Sequence, residues 1–306
     1  MQEISIDYVS CVLALCTTFG IFGNLNVIVA SVRKAELRTT CSILIATTAF
    51  FDLIHECSHY IMFYVNFSSF SPTLLQCFQL QFFSMIGCNA GGILLLLTSI
   101  DRLYCILRPI DYKNINGALE LTVCITIAVS YALWLNYEAY SSLLPIQDQT
   151  TICGLPSSFK NRAEQMFSLC TAFINFLTLL IYATIWLYVK KITKQRIPSL
   201  LRSIAAVAIC GVGGWLLSFT LFVAALASMK IVPEQLVMYL GLPINISITL
   251  NYPIYFLMSR QYQRAFQEQL HILTCGVLHR GMRKTAAYST TIARSRGTSS
   301  VAQTNS

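Results

Sequence analysis

Seven stretches of nearly unbroken apolar sequence limit what this chain can fold into. They lie near 8–32, 40–65, 76–101, 119–143, 165–189, 202–228 and 235–258. A helix needs about 20 mostly apolar residues to cross a bilayer. Lipid offers backbone N–H and C=O groups no water, so only helices and closed barrels can span it. Barrel strands are shorter, about 10 residues, and alternate apolar with polar side chains. These runs are longer and continuous, so they predict helices. Composition agrees. A soluble domain carries roughly a quarter charged residues; here 11% of 306 residues are charged, 55% are hydrophobic, and the mean hydropathy is +0.61. The expected fold is an all-α membrane protein, a seven-transmembrane-helix bundle with a short amphipathic eighth helix. The expected divisions are a short extracellular N-terminus (1–7), the bundle (8–258), the amphipathic cytoplasmic helix (259–274) and a disordered tail (275–306). Met1 to Asp7 lacks the basic start of a cleavable signal peptide, so the first helix is expected to act as the insertion signal.

Lysine and arginine set the orientation. One side of the membrane receives Arg33, Lys34, Arg38, Arg102, Arg108, Lys113, the basic residues from Lys190 to Arg202, and those of the tail from Arg260 to Arg296. The other receives Lys160, Arg162 and Lys230. The positive-inside rule then places the N-terminus outside and the tail in the cytoplasm, as in a multi-pass plasma-membrane protein. The net charge of +8 is this cytoplasmic skirt, suited to anionic membrane lipids. It is spread over short loops, which argues against a nucleic-acid partner. Of the twelve cysteines, Cys77 and Cys153 lie at the outer face outside a helix core, where oxidation is possible, and are expected to pair. The others read as small buried apolar residues, except Cys275 in the tail, a candidate for palmitoylation.

The third run ends in Ile100-Asp101-Arg102-Leu103-Tyr104, followed by Pro109 and Tyr112. Charges are costly in hydrocarbon, so the pair marks where the helix leaves the lipid. Arginine can snorkel there and present its planar donor fork to a partner. A boundary anchor is the plain alternative. Taken with Cys77 upstream, the set resembles the Asp-Arg-Tyr region of rhodopsin-like G-protein-coupled receptors, with Leu103 in place of the tyrosine. Glu36-Leu37-Arg38 before Cys41, and Cys153-Gly154-Leu155-Pro156, resemble nematode chemosensory receptors of serpentine class SX. The ordered set Asn24, Asp52, Cys77, Asp101-Arg102, Cys153, Asn251 and Tyr255 spans the membrane portion. This resemblance implies an extracellular ligand and a heterotrimeric G protein as partners, with no cofactor and no catalysis on a substrate of its own. It assigns the coupling switch to Asp101, Arg102, Pro109, Tyr112, Tyr182, Asn251 and Tyr255. Tyr182 stands where relatives keep a tyrosine that meets the arginine in the active state; its plain reading is an interfacial aromatic. Asn251-Tyr252-Pro253-Ile254-Tyr255 resembles Asn-Pro-x-x-Tyr with the proline one place late, and that proline is expected to kink the helix.

Further polar residues inside the runs need partners. Asn24 must be hydrogen-bonded, since an unmet amide in lipid costs several kcal/mol, roughly. Asp52 is an intramembrane carboxylate, with Asn24 and Asn251 as expected partners. His55-Glu56-Cys57-Ser58-His59 satisfies H-E-x-x-H, whose histidines share a helix face and could hold zinc, with the glutamate as base. A catalytic zinc needs a third protein ligand. The candidates, Asp52 and Glu138, sit in no protease-like motif, so the expected metal count is none and the histidines are read as pocket lining. An intramembrane metalloprotease is therefore the alternative reading. A small transporter is a second, opposed by the lack of internal repeats. The candidate ligand pocket comprises Ser84, Met85, Cys88, His59, Trp215 and Asn245. Ser84 stands where amine receptors place an aspartate, which argues against an amine salt bridge. Gly91 replaces a serine that helps hold sodium in many relatives. Gly87, Gly91 and Gly92 are expected to admit neighbouring helices closely, as are Gly211, Gly213 and Gly214 around Trp215. Helix six begins without an acid, so no salt bridge from it to Arg102 is expected. Asn66-Phe67-Ser68 is a glycosylation sequon. Gln261 to Leu273 carries Tyr262, Phe266, Leu270 and Leu273 on one face, suited to the inner leaflet. The Ser/Thr/Arg-rich tail from Thr285 to Ser306 offers phosphorylation sites.

Overall fold

In the computed structural model, residues 6–68, 70–193, 199–229 and 232–273 are described. Cys275, the tail, Lys194, Arg196 and Lys230 lie outside them. The described residues form an all-helical bundle: α1 (Ile6–Arg33), α2 (Thr40–Phe67), α3 (Leu74–Leu107), α4 (Gly117–Leu143), α5 (Asn161–Tyr188), α6 (Ser199–Met229), α7 (Glu234–Leu240), α8 (Leu242–Thr249), α9 (Asn251–Met258) and α10 (Arg260–Leu273). Helices α1 to α6 are each long and apolar enough to cross a membrane. The seventh apolar run is helical but broken into α7, α8 and α9. The breaks fall at Gly241 and Leu250, which stay right-handed with ψ angles of −11° and −8° and whose N–H groups still reach Val237 and Ile246. Pro243 and Pro253 follow each break within three residues; neither can donate to the carbonyl four residues back. Pro253, where a kink is expected, lies just after the second of these breaks.

Side chains fix several helix starts. Thr39 accepts from the Ser42 N–H at the head of α2. Thr73 and Gln76 form a reciprocal capping box at the head of α3. Asn116 accepts from Ala118 and Leu119 N–H groups before α4. These caps satisfy donors that the helix itself leaves orphaned.

Helix α3 occupies the interior. It packs against α2, α4 and α5, while α1, α2, α4, α5, α6 and α8 follow one another around it, and α8 returns to α1. Helices α2 and α3 approach closely at Gly87. A Cβ there would lie 2.5 Å from the His55 nitrogen and 2.6 Å from the Phe51 oxygen. A Cβ on Gly92 would meet nothing within 4 Å, so only one of these two glycines is needed for packing. Large apolar side chains such as Phe19, Phe83, Phe173 and Leu216 face outward. An apolar exterior of this extent is a lipid-facing surface.

The two ends of the bundle differ. At one, Cys77 is disulfide-bonded to Cys153, tying the segment before α5 to the top of α3. Glu234 joins the same segment to α7: its carboxylate accepts from Lys160 Nζ at 2.8 Å, Thr151 Oγ1 at 3.0 Å and the Ile152 N–H at 3.2 Å. Burial raises the pKa of Glu234, but these donors and the lysine charge outweigh it, and the net shift is downward. At the other end, Val27, Leu37, Ile45, Tyr182, Ile204 and Tyr255 belong to one apolar cluster shared with Tyr262 and Phe266 of α10. Helix α10 is fastened by Tyr262 to Ser31 (3.1 Å), by Gln269 Nε2 to the Asn26 carbonyl (3.2 Å) and by a Glu268–Lys34 ion pair. Of its expected apolar face, Tyr262 and Phe266 are buried and Leu273 is exposed.

Candidate functional site

A cavity of about 220 Å³ opens beneath the disulfide. Helices α2, α3, α5, α6, α7 and α8 supply its walls with Leu13 of α1, and Gly154 to Pro156 cover it. Gly154 packs closely there: a Cβ would lie 2.5 Å from Met238 Cε, so the methionine would have to shift to admit one. Of the six side chains expected to line a pocket, Cys88, His59, Trp215 and Asn245 do so. Ser84 and Met85 do not. Met85 is fully buried among Ala139, Leu155 and Phe159, where the segment after the disulfide descends onto α3 and fills the space. Ser84 is buried away from the lining. Residues that sequence reasoning missed include Ser58, Phe159, Phe167 and Ser218. Phe159 stacks on Phe167 at 4.4 Å, and Phe167 meets Trp215 at 5.8 Å, giving one aromatic wall.

The histidines of the H-E-x-x-H pattern face this cavity, with ring centroids 5.8 Å apart. His59 Nε2 lies 2.6 Å from Asn245 Oδ1. Asn245 donates its amide to the Gly241 carbonyl, which turns its oxygen towards His59, so His59 is the donor through Nε2. Glu56 lies off the cavity, between α1 and α2, where its carboxylate accepts from Asn24 at 3.3 Å. Glu138 pairs with Arg162 at 3.8 Å. Among the described residues no group of three His, Cys, Asp or Glu side chains could hold a metal ion. The arrangement therefore does not fit a zinc-hydrolase centre.

Below the main cavity lie two smaller ones. The first, about 100 Å³, shares His55, Cys88, Phe167 and Trp215 with it and reaches Asp52 and Asn251. The second, about 30 Å³, runs past Asn24, Asp52 and Asn251 to Tyr255. Asn251 donates to Asp52 at 3.4 Å. Asn24 does not reach Asp52 as expected. Asp52 and Glu56 sit one above the other on α2, and the longer Glu56 extends to α1 and takes the amide. Gly91 faces Asp52, with Oδ1 3.1 Å from where its Cβ would be.

The other end of α3 holds a closed triangle. Arg102 donates Nε to Asp101 Oδ2 at 2.6 Å and Nη2 to the Tyr112 hydroxyl at 2.8 Å; that hydroxyl donates to Asp101 Oδ1 at 2.8 Å. The guanidinium also lies 5.7 Å from the centre of the Tyr112 ring. Pro109 opens the single helical turn, Pro109–Tyr112, that presents this tyrosine. Burial, then the bond to Asp101, raise the phenol's pKa well above its ordinary value and keep it a donor. The Asp101 side chain is 1% exposed and Arg102 15%. Sequence reasoning gave Arg102 one restraint, Asp101; the structure adds Tyr112 and brings Glu120 of α4 beside Asp101. Tyr182 and Tyr255 are buried nearby in the apolar cluster, and the Tyr182 hydroxyl has no hydrogen-bond partner. The Asn66 amide, in the last turn of α2, donates to Asp7 at 2.8 Å, so the sequon nitrogen is already engaged.

Two comparisons with known proteins bear on this site. A family model described as "Serpentine type 7TM GPCR chemoreceptor Srsx" matches residues 17–270. The muscarinic acetylcholine receptor M3 of Bos taurus is 30% identical over 137 residues, which are 44% of this chain. The chain spans 23% of that curated relative's length.

Proposed function

The chain belongs to the serpentine 7TM GPCR chemoreceptor family Srsx, and on that premise we propose that it binds a small extracellular ligand and activates a heterotrimeric G protein. In this reading the disulfide end faces outside and the arginine end the cytoplasm, at the plasma membrane, and the broken α7–α9 unit is the seventh span. Helix α10 is the amphipathic helix on the inner leaflet. The observation that carries the reading is the Asp101–Arg102–Tyr112 triangle. A mostly buried guanidinium must be paired in every state. Here its partners are a neighbour on the same helix and a loop tyrosine, which an incoming protein segment can replace without unfolding the bundle.

Mechanism follows from the cavities. Ligand in the upper cavity presses on Trp215 and Phe167, which also wall the middle cavity. That cavity meets Asp52 and Asn251, and the lowest ends on Tyr255. Helices α6 and α9 can therefore repack as one unit, exposing Arg102 with Tyr182 and Tyr255 as new partners. Ligand biases this two-state element only by binding one packing better than the other. Acetylcholine is not carried over from the M3 match, because the buried cavity lining offers no carboxylate for a cation. Nucleotide exchange on purified G-protein heterotrimers, in membranes bearing the full chain, tests the reading. Exchange should exceed that of empty membranes, more so with Tyr112→Phe. Equal rates in all three membranes, for every heterotrimer class, would overturn it.

A further inference from the structure

Serine and threonine inside lipid-embedded helices normally return their hydroxyl to the carbonyl three or four residues back, since an unmet hydroxyl is costly there. This chain follows that rule at Ser10, Ser31, Thr47, Thr98 and Thr178. Among the described residues of these helices, two serines break it. Ser58 of α2 and Ser218 of α6 are 1% and 6% exposed, and neither hydroxyl has a hydrogen-bond partner within the protein. Both line the upper cavity, on different helices, together with the His59–Asn245 pair. His55 and Ser168 add polar atoms, and most of the remaining wall is aromatic and aliphatic. Among the described lining residues the carboxylate of Glu164 is the only Asp, Glu, Lys or Arg side chain, and it is exposed.

We propose that the upper cavity takes a neutral, largely apolar small molecule bearing one hydroxyl or carbonyl oxygen, held by the hydroxyls of Ser58 and Ser218. This rests on the reading of the cavity as the ligand site of a receptor. The chemistry selects the class. A hydroxyl both donates and accepts, so two of them meet an alcohol or a carbonyl equally well. The apolar wall of Phe159, Phe167 and Trp215 takes the hydrocarbon part. A carboxylate or an ammonium ion would lose its hydration with no buried counter-charge to replace it. A bound oxygen gives both hydroxyls a partner that the protein itself does not supply.

Cys88 lines both the upper and middle cavities and is a native reporter. The full-length receptor in lipid nanodiscs is treated with a small thiol reagent, alkylation of the Cys88 peptide is followed by mass spectrometry, and thermal unfolding is measured in parallel. The probes are 1-octanol, 2-octanone, octane, octanoate and octylammonium. Exposed, lipid-facing Cys11 and Cys57 report any general effect of the probes on the membrane. The expected result is slower Cys88 alkylation and a higher unfolding temperature with 1-octanol and 2-octanone, a weaker effect with octane, and none with the two ions. In the Ser58→Ala/Ser218→Ala double variant the alcohol and ketone should bind about tenfold more weakly or worse. That variant without probe should be at least as stable as the native chain, because neither hydroxyl bonds another group of the protein. A purely structural role for the serines would give the opposite stability change. Equal protection by the ions, no protection by either oxygen-bearing probe, or undiminished protection in the double variant would overturn the assignment. The readout needs no G protein. A receptor that exchanges nucleotide but fails here loses only the ligand class, and one that passes here but never drives exchange loses only the coupling reading.

Discussion

The disulfide end and the arginine end of this bundle solve opposite problems. The first is covalently and ionically braced, by Cys77–Cys153 and by the three donors on Glu234, yet hollow beneath the brace. The second has ion pairs but no disulfide among the described residues, is densely filled by the cluster around Tyr182, Tyr255 and Tyr262, and is closed by a three-residue polar latch. A braced hollow suits binding a small molecule without collapse. A filled end with a replaceable latch suits opening towards a larger partner. Stability and switching are thereby assigned to different residues, and variants at the two ends should separate them.

The largest effect belongs to the brace. Cys77→Ser or Cys153→Ser should destabilise by about 2–4 kcal/mol. The check is surface abundance beside total expression, where the receptor is expected to remain inside the cell. Mass spectrometry finding both thiols free in native protein would remove this half of the contrast. Next is the α2–α3 contact under the cavity. Gly87→Ala should cost about 1–3 kcal/mol, since its Cβ meets backbone that cannot rotate away. Gly92→Ala, with open space around it, should leave the unfolding temperature unchanged or slightly raised. A smaller change in free energy, but a larger one in function, is expected at the latch. Tyr112→Phe deletes one bond to Arg102 and one to Asp101, a shift of roughly 1–2 kcal/mol between two packings. Basal G-protein activation should rise about five- to thirtyfold at unchanged surface level. Asp101→Asn should move it in the same direction by freeing the arginine.

The smallest effect is acid sensitivity at the brace. The pKa of Glu234 is lowered on folding, so its contribution is fully present above the ordinary carboxylate range and is lost as pH falls through and below that range. The side chain is 38% exposed, so screening holds the contribution under about 1 kcal/mol. Glu234→Gln should abolish that part of the acid dependence of unfolding and leave stability at neutral pH only slightly lower.

These ends were unequally legible in the sequence. Long apolar runs gave the spans closely: the first, near 8–32, is the helix Ile6–Arg33. The disulfide followed from topology, because few cysteines could meet an oxidising compartment. The pairing of Arg102 with Asp101 was visible because the two are adjacent. What stayed hidden depends on distance across the bundle. Tyr112 closes the latch only because Pro109 starts a helical turn that folds it back. Asn24 bonds Glu56, one turn further along α2, while Asp52 is engaged by Asn251. Of the three expected pocket residues on α3, Ser84, Met85 and Cys88, only Cys88 lines the cavity, since the face turned to it depends on how the segment after Cys153 settles. That segment took Met85 into its own packing and contributed Phe159. The first break in the seventh run, at Gly241, was written in Gly241-Leu242-Pro243, but it lay in a run whose hydropathy alone reads as continuous.

Arg102→Ala tests the central claim, that the latch exists to be handed to a partner. Its side chain contacts Asp101 and Tyr112 rather than the apolar core, so the variant should reach the cell surface at the native level. Coupling should fall to background, because the group that the G protein would meet is gone. Surface labelling and G-protein activation, measured on the same cells, give both numbers. Native surface level with activation lost is the predicted result. Native surface level with full activation would contradict the account.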